Sequence, residues 1–126
     1  MALPVTILYG SLSILVTVLL ALNISMHRMR HKVYVSEGIP DAFRRKIRAH
    51  GNSTEWLAAT IFLLAFLELQ GAPSMWLHLF GGAILIARIA HSFFMLTHSR
   101  MTMFSATATY LLSFAMAFWA LYLRLR

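Results

Sequence analysis

No cysteine occurs among the 126 residues. The chain therefore cannot build a disulfide, a protein thiolate or a cysteine-based metal site, and any sulfur chemistry must use a thiol that arrives with a ligand. Acidic residues are scarce too, with 4 Asp and Glu against 11 Lys and Arg, for a formal charge of +7. Such an excess suggests nucleic acid when it forms a patch on a soluble fold. Here seven of the eleven cations crowd between Arg28 and Arg48, directly after a long apolar segment, where topology and anionic lipid explain them better. Nucleic acid is not an expected partner. There is no strong internal repeat, no low-complexity tail and no room for a separate soluble domain, so residues 1–126 read as one domain. Met1-Ala2-Leu3-Pro4 lacks a positive region, and the apolar run behind it is too long for a signal peptide. The first segment is expected to be retained.

What the chain has in plenty is apolar surface. Hydrophobic residues make up 60% of it and the mean hydropathy is +0.71, above ordinary soluble composition. Ala2 to Met26 runs for 25 residues without a charge, enough to cross a bilayer. Breakers and apolar runs together predict four helices, at about 3–32, 41–70, 74–97 and 102–124. The fold class is all-α, an integral membrane four-helix bundle. Ser36 to Asp41 forms the first turn with Asp41 as N-cap, and Gly71 and Pro73 close the second helix. Gly81, Gly82 and Ala83 offer a small-residue surface for close helix approach, while Trp76, His78, Trp119 and Tyr122 suit membrane interfaces. Glu68 reads as a solvated interface residue. Because the first and third connections hold most of the positive charge, both termini are expected outside the cytoplasm.

One stretch breaks the apolar pattern. Arg48-Ala49-His50-Gly51-Asn52-Ser53-Thr54-Glu55 runs directly into the apolar segment Trp56 to Leu67, and ionisable groups in that position suggest function. On a helix Arg48, Asn52 and Glu55 fall within an arc of about 60°, while His50 points nearly the opposite way. The antiparallel course of the second and third helices brings Glu55 and Arg88 to similar depth, where they are expected to pair. Arg88 shares its face with His91, Ser92 and Met95. A metal centre is not expected, since Glu55 with His50 or His91 gives no i, i+4 ligand pair on one helix.

Arg48-Ala49-His50-x-Asn52-x-x-Glu55 resembles the signature of the MAPEG family, the membrane-associated proteins in eicosanoid and glutathione metabolism. Arg88-Ile89-Ala90-His91 resembles the Arg-x-x-His of the family's third helix, and His-Gly-Asn with Ser105-Ala106-Thr107 resembles a short bacterial branch. The resemblance covers the whole chain. It implies a homotrimer in a bacterial inner membrane with glutathione bound between subunits, and transferase or peroxidase action on a lipophilic electrophile or lipid entering from the bilayer, with the site in the cytoplasmic half. It further implies that Glu55 takes the glutathione ammonium and Asn52 an amide or carboxylate. Arg48, Arg88 and His91 take the acidic ends, and His50 joins the contact residues. An arginine at the end of the first helix, Arg28 or Arg30, would complete the neighbouring subunit's site. The chain departs from the family at Phe104, where an arginine is expected, at Met95 for a tyrosine, and at Gly51 for a basic residue. Thiol activation would then fall to Arg100 or Ser105. Those departures keep open a non-enzymatic reading, a membrane scaffold that presents a lipid or partner protein. A proton antiporter built around Glu55 is a further alternative, set back by the three cations around that carboxylate.

Overall fold

The computed structural model describes residues 2–32 and 39–126, so the expected turn at Ser36, Glu37 and Gly38 lies outside the described residues. Four helices follow in order, α1 Pro4–His31, α2 Asp41–Leu69, α3 Ser74–Leu96 and α4 Thr102–Leu125. Each begins or ends where backbone chemistry requires it. Pro4 occupies the first turn of α1, where its missing N–H costs nothing. At the other end Lys32 adopts the left-handed conformation (φ 52°) and returns its N–H to the carbonyl of Arg28. Between α2 and α3 the chain reverses through Gly71 at φ 77°, where a side chain would be strained, and Pro73 precedes the next helix.

Asp41 departs from its expected role. It is the first residue of α2 and makes no capping bond, and its carboxylate lies 3.8 Å from Arg44 one turn on. Pro40 holds the cap position instead, and its carbonyl accepts from the N–H groups of Phe43 and Arg44.

Glu68 needs a larger correction. Its two carboxylate oxygens accept the backbone N–H of Val5 at 2.9 Å and of Thr6 at 2.7 Å. These are donors at the start of α1 that no helical carbonyl can reach, and the negative charge sits against the positive end of the helix dipole. Glu68 is thus the cap of a helix more than sixty residues upstream. Close by, the ring of Tyr9 lies where a Cβ on Gly81 would have to be, which fixes the approach of α1 to α3 and gives that glycine its structural reason. The Tyr9 hydroxyl is 3.3 Å from His78 Nδ1.

Among the described residues α2 and α3 pack against each other and against both remaining helices, whereas α1 and α4 do not meet. The apolar core, with Val5, Leu64, Leu67, Leu77, Ile84 and Met116 at its centre, fills the half of the bundle nearest Glu68. Three helices, α1, α3 and α4, are long and apolar enough to cross a bilayer, and they expose large side chains such as Ile7, Leu19, Ile86 and Phe118. α2 has the length of a span, with 29 residues, but carries the charges.

Candidate functional site

The other half of the bundle is built from polar side chains. Arg88 on α3 is only 7% exposed, and its Nη2 donates to the carbonyl of Asn52 at 3.0 Å and to Asn52 Oδ1 at 2.6 Å. Asn52 thus binds the guanidinium with both its backbone and its side chain. The expected pairing of Arg88 with Glu55 is not made: among the described residues no carboxylate lies within ion-pair distance of Arg88, and Glu55 is exposed. Helix geometry supplies the reason. Asn52 and Glu55 sit on opposite sides of Arg48 around α2, about 60° apart, so the side that leans toward α3 is that of Asn52. Arg48 and Glu55 then share the outward side with Phe62 and Phe66.

His91, one turn beyond Arg88, is 5% exposed and joins α3 to the start of α4. Its Nδ1 lies 3.3 Å from the carbonyl of Thr102 and 3.2 Å from Ser105 Oγ. A carbonyl can only accept, so Nδ1 carries the hydrogen and, in the neutral ring, Nε2 is the bare nitrogen. That Nε2 is buried with no partner, at a cost of about 1–3 kcal/mol. Ser105 is buried as well, and its hydroxyl reaches the carbonyls of Thr102 at 2.9 Å and Met101 at 3.3 Å. Its one proton is committed to the helix backbone.

Two small cavities flank Arg88. One, of about 10 Å³, lies toward α1 among Ser13, Thr17, Ser53 and Thr60 and has room for about one water. There the Thr17 and Ser53 hydroxyls meet at 3.0 Å. The other, of about 30 Å³, is lined by Asn52, Trp56, Arg88, His91, Thr109 and Tyr110. Trp56 and Tyr110 meet edge to face there, with ring centroids 5.1 Å apart. Only a small group fits inside.

The remaining candidates are scattered around this layer. Arg28 lies over the buried ring of Phe43 with its carbon 6.0 Å from the centroid, and His27 stacks on the same ring at 4.4 Å. It is therefore turned toward its own α2. Arg30, Arg48 and Arg100 are exposed, and His50 is half-buried with an unpartnered Nδ1. Arg100 makes no hydrogen bond to His91 or Ser105 among the described residues. Sequence reasoning passed over Thr17, Ser53 and Thr109, which form the hydroxyl lining. Thr17 was visible as a polar residue in an otherwise apolar run, and Ser53 stood inside the octet without a role.

The chain is similar in sequence to known membrane proteins. Inner membrane protein YecN of Escherichia coli K12 is 31% identical over 87 residues, which are 69% of this chain. The protein of the same name from Escherichia coli O6:H1 matches to the same extent. The match spans 66% of each relative's own length, just under two thirds. With an inner membrane protein as relative and three spanning helices of its own, the chain is a multi-pass membrane protein. The MAPEG family model matches residues 6–122, nearly the whole bundle from the first turn of α1 to the last turns of α4, and the chain belongs to the MAPEG family.

Proposed function

We propose that the protein binds glutathione in the polar half of the bundle, at a site completed by a second subunit of a homotrimer, and transfers it to, or uses it to reduce, a lipophilic electrophile. The observation that carries this reading is the outward side of α2. Arg48 and Glu55 are exposed on a helix that packs among three spanning segments, and lipid is a costly neighbour for either charge. A polar ligand held between subunits gives both a partner. Glutathione has the complementary groups: carboxylates for Arg48 and Arg88, and an ammonium for Glu55. The buried Arg88, with no carboxylate in ion-pair distance among the described residues, fits the same ligand. Arg28 and Arg30 are both exposed, and the contact of the Arg28 guanidinium with Phe43 on its own α2 favours Arg30 as the arginine that completes a neighbour's site. The basic segment from Arg28 to Arg48 supports a cytoplasmic location for this half of the bundle, with both termini on the other side.

Calorimetry with glutathione on the detergent-purified protein tests the reading. Saturable binding is expected, and Arg48→Ala and Glu55→Ala should abolish it while the variants stay folded and assembled. Equal binding in all three proteins would remove the site. The scaffold reading also has an observation behind it, because Ser105 has committed its proton to the backbone and Arg100 is exposed. Normal glutathione affinity, with no conjugation or peroxide reduction across a broad panel of electrophiles, would favour it.

A further inference from the structure

We infer that His91, through Nε2, is the base that takes the proton of the glutathione thiol, a role that rests on the glutathione reading above. Neither residue expected to activate the thiol lines the cavity beside Arg88. The single proton of Ser105 goes to a backbone carbonyl 2.9 Å away, and Arg100 is exposed. His91 has the opposite properties. The carbonyl of Thr102 and the oxygen of Ser105 hold its Nδ1–H, which leaves the lone pair on Nε2 and fixes the ring orientation. Nε2 is buried and unpartnered, and His91 is one of the residues that line the cavity of about 30 Å³ beside Arg88. That volume excludes a tripeptide and admits a group of about thiol size, so only the reacting end of the ligand can enter.

The surroundings suit the transfer. As the S–H bond breaks and an N–H bond forms at Nε2, the electron pair stays on sulfur and the ring becomes a cation. The groups lining the cavity are Asn52 and Trp56 from α2, Arg88 from α3, and Thr109 and Tyr110 from α4, with Glu55 exposed on the outer side of α2. Arg88 alone would oppose a second positive charge next to it. An anion on sulfur between guanidinium and imidazolium offsets that repulsion, so proton transfer is favourable only when the thiol is in place. Ser105 becomes a positioning residue that acts through His91.

The test uses the full-length protein in detergent with nitrogen-15-labelled histidine, the His91 resonances being assigned with His91→Gln. In the free protein Nδ1 should be protonated and Nε2 bare. Saturating glutathione should protonate Nε2, whereas S-methylglutathione, which keeps the carboxylates and the ammonium but has no thiol proton, should bind and leave Nε2 bare. The ultraviolet thiolate band of bound glutathione at neutral pH should fall by roughly tenfold or more in His91→Gln, and by a smaller factor in Ser105→Ala. If both ligands bind and Nε2 stays bare, or if the thiolate band is unchanged in His91→Gln, the inference is overturned and the glutathione reading stands. If neither ligand binds, both fall. Should His91→Gln not fold, comparing the two ligands on the unsubstituted protein still decides the matter, with the responding resonance assigned by its proximity to Arg88.

Discussion

The two halves of the bundle differ in how completely the chain satisfies itself. Near Glu68 the polar groups are answered from within: the carboxylate caps α1, Tyr9 meets His78, and the space between is filled by Leu64, Leu67 and Met116. Around Arg88 they are not. Of the buried side-chain atoms without a partner among the described residues, Thr6 Oγ1 belongs to the first half, while Arg45 Nε, His50 Nδ1, His91 Nε2 and Ser92 Oγ belong to the second. Buried polar groups in finished structures are nearly always paired. One half satisfies nearly all of its buried polar groups within the chain, and the other leaves four such atoms without a partner among the described residues.

Substitutions can break this contrast from either side. The largest effect on stability is expected in the finished half, where Leu64→Ala removes a side chain that is 1% exposed and should cost about 2–5 kcal/mol, read from unfolding in detergent. Glutathione affinity measured well below the unfolding midpoint should not change. Arg88→Met reverses the pattern: charge-assisted bonds of about 1.5–3 kcal/mol are lost to the ligand, so affinity should drop by roughly tenfold to a hundredfold. A stability loss larger than the affinity loss would mean that Arg88 serves only to tie α3 to α2. Glu68→Gln keeps the shape of the α1 cap and removes its charge, so about 1 kcal/mol of stability should disappear with no change in binding. The finest discrimination is between two arginines of one helix. Arg28→Ala should cost at most about 1 kcal/mol of stability through its contact with Phe43. Arg30→Ala should leave stability alone and weaken glutathione binding. The opposite outcome would exchange their roles.

Most of the architecture was legible in the sequence because its signals are local. Apolar runs of membrane length, Gly71 and Pro73 as breakers, and the cations after Met26 put the helix ends within one residue of those observed. Gly81 was readable as a close-packing residue, though not that Tyr9 would lie on it. The misses at Glu68 and Glu55 share a cause, since each partner comes from another helix. Nothing near Glu68 in the sequence says that its acceptors will serve Val5 and Thr6. Likewise, Asn52 and Glu55 are both candidates for Arg88 by depth, and only the rotation of α2 against α3 selects Asn52. The octet lies on the helix that pairs with Arg88, yet the tautomer of His91 follows from a carbonyl on α4 that carries no sequence signal.

The cap that Glu68 provides also bears on how the protein is made. The first turn of α1 presents its N–H groups long before residue 68 has been synthesised, and the N-cap residue Leu3 makes no side-chain bond to them. Those donors must rest on water or lipid headgroups until the end of α2 arrives beside them. The cap of α1 is therefore completed only when the end of α2 comes to lie beside the start of α1.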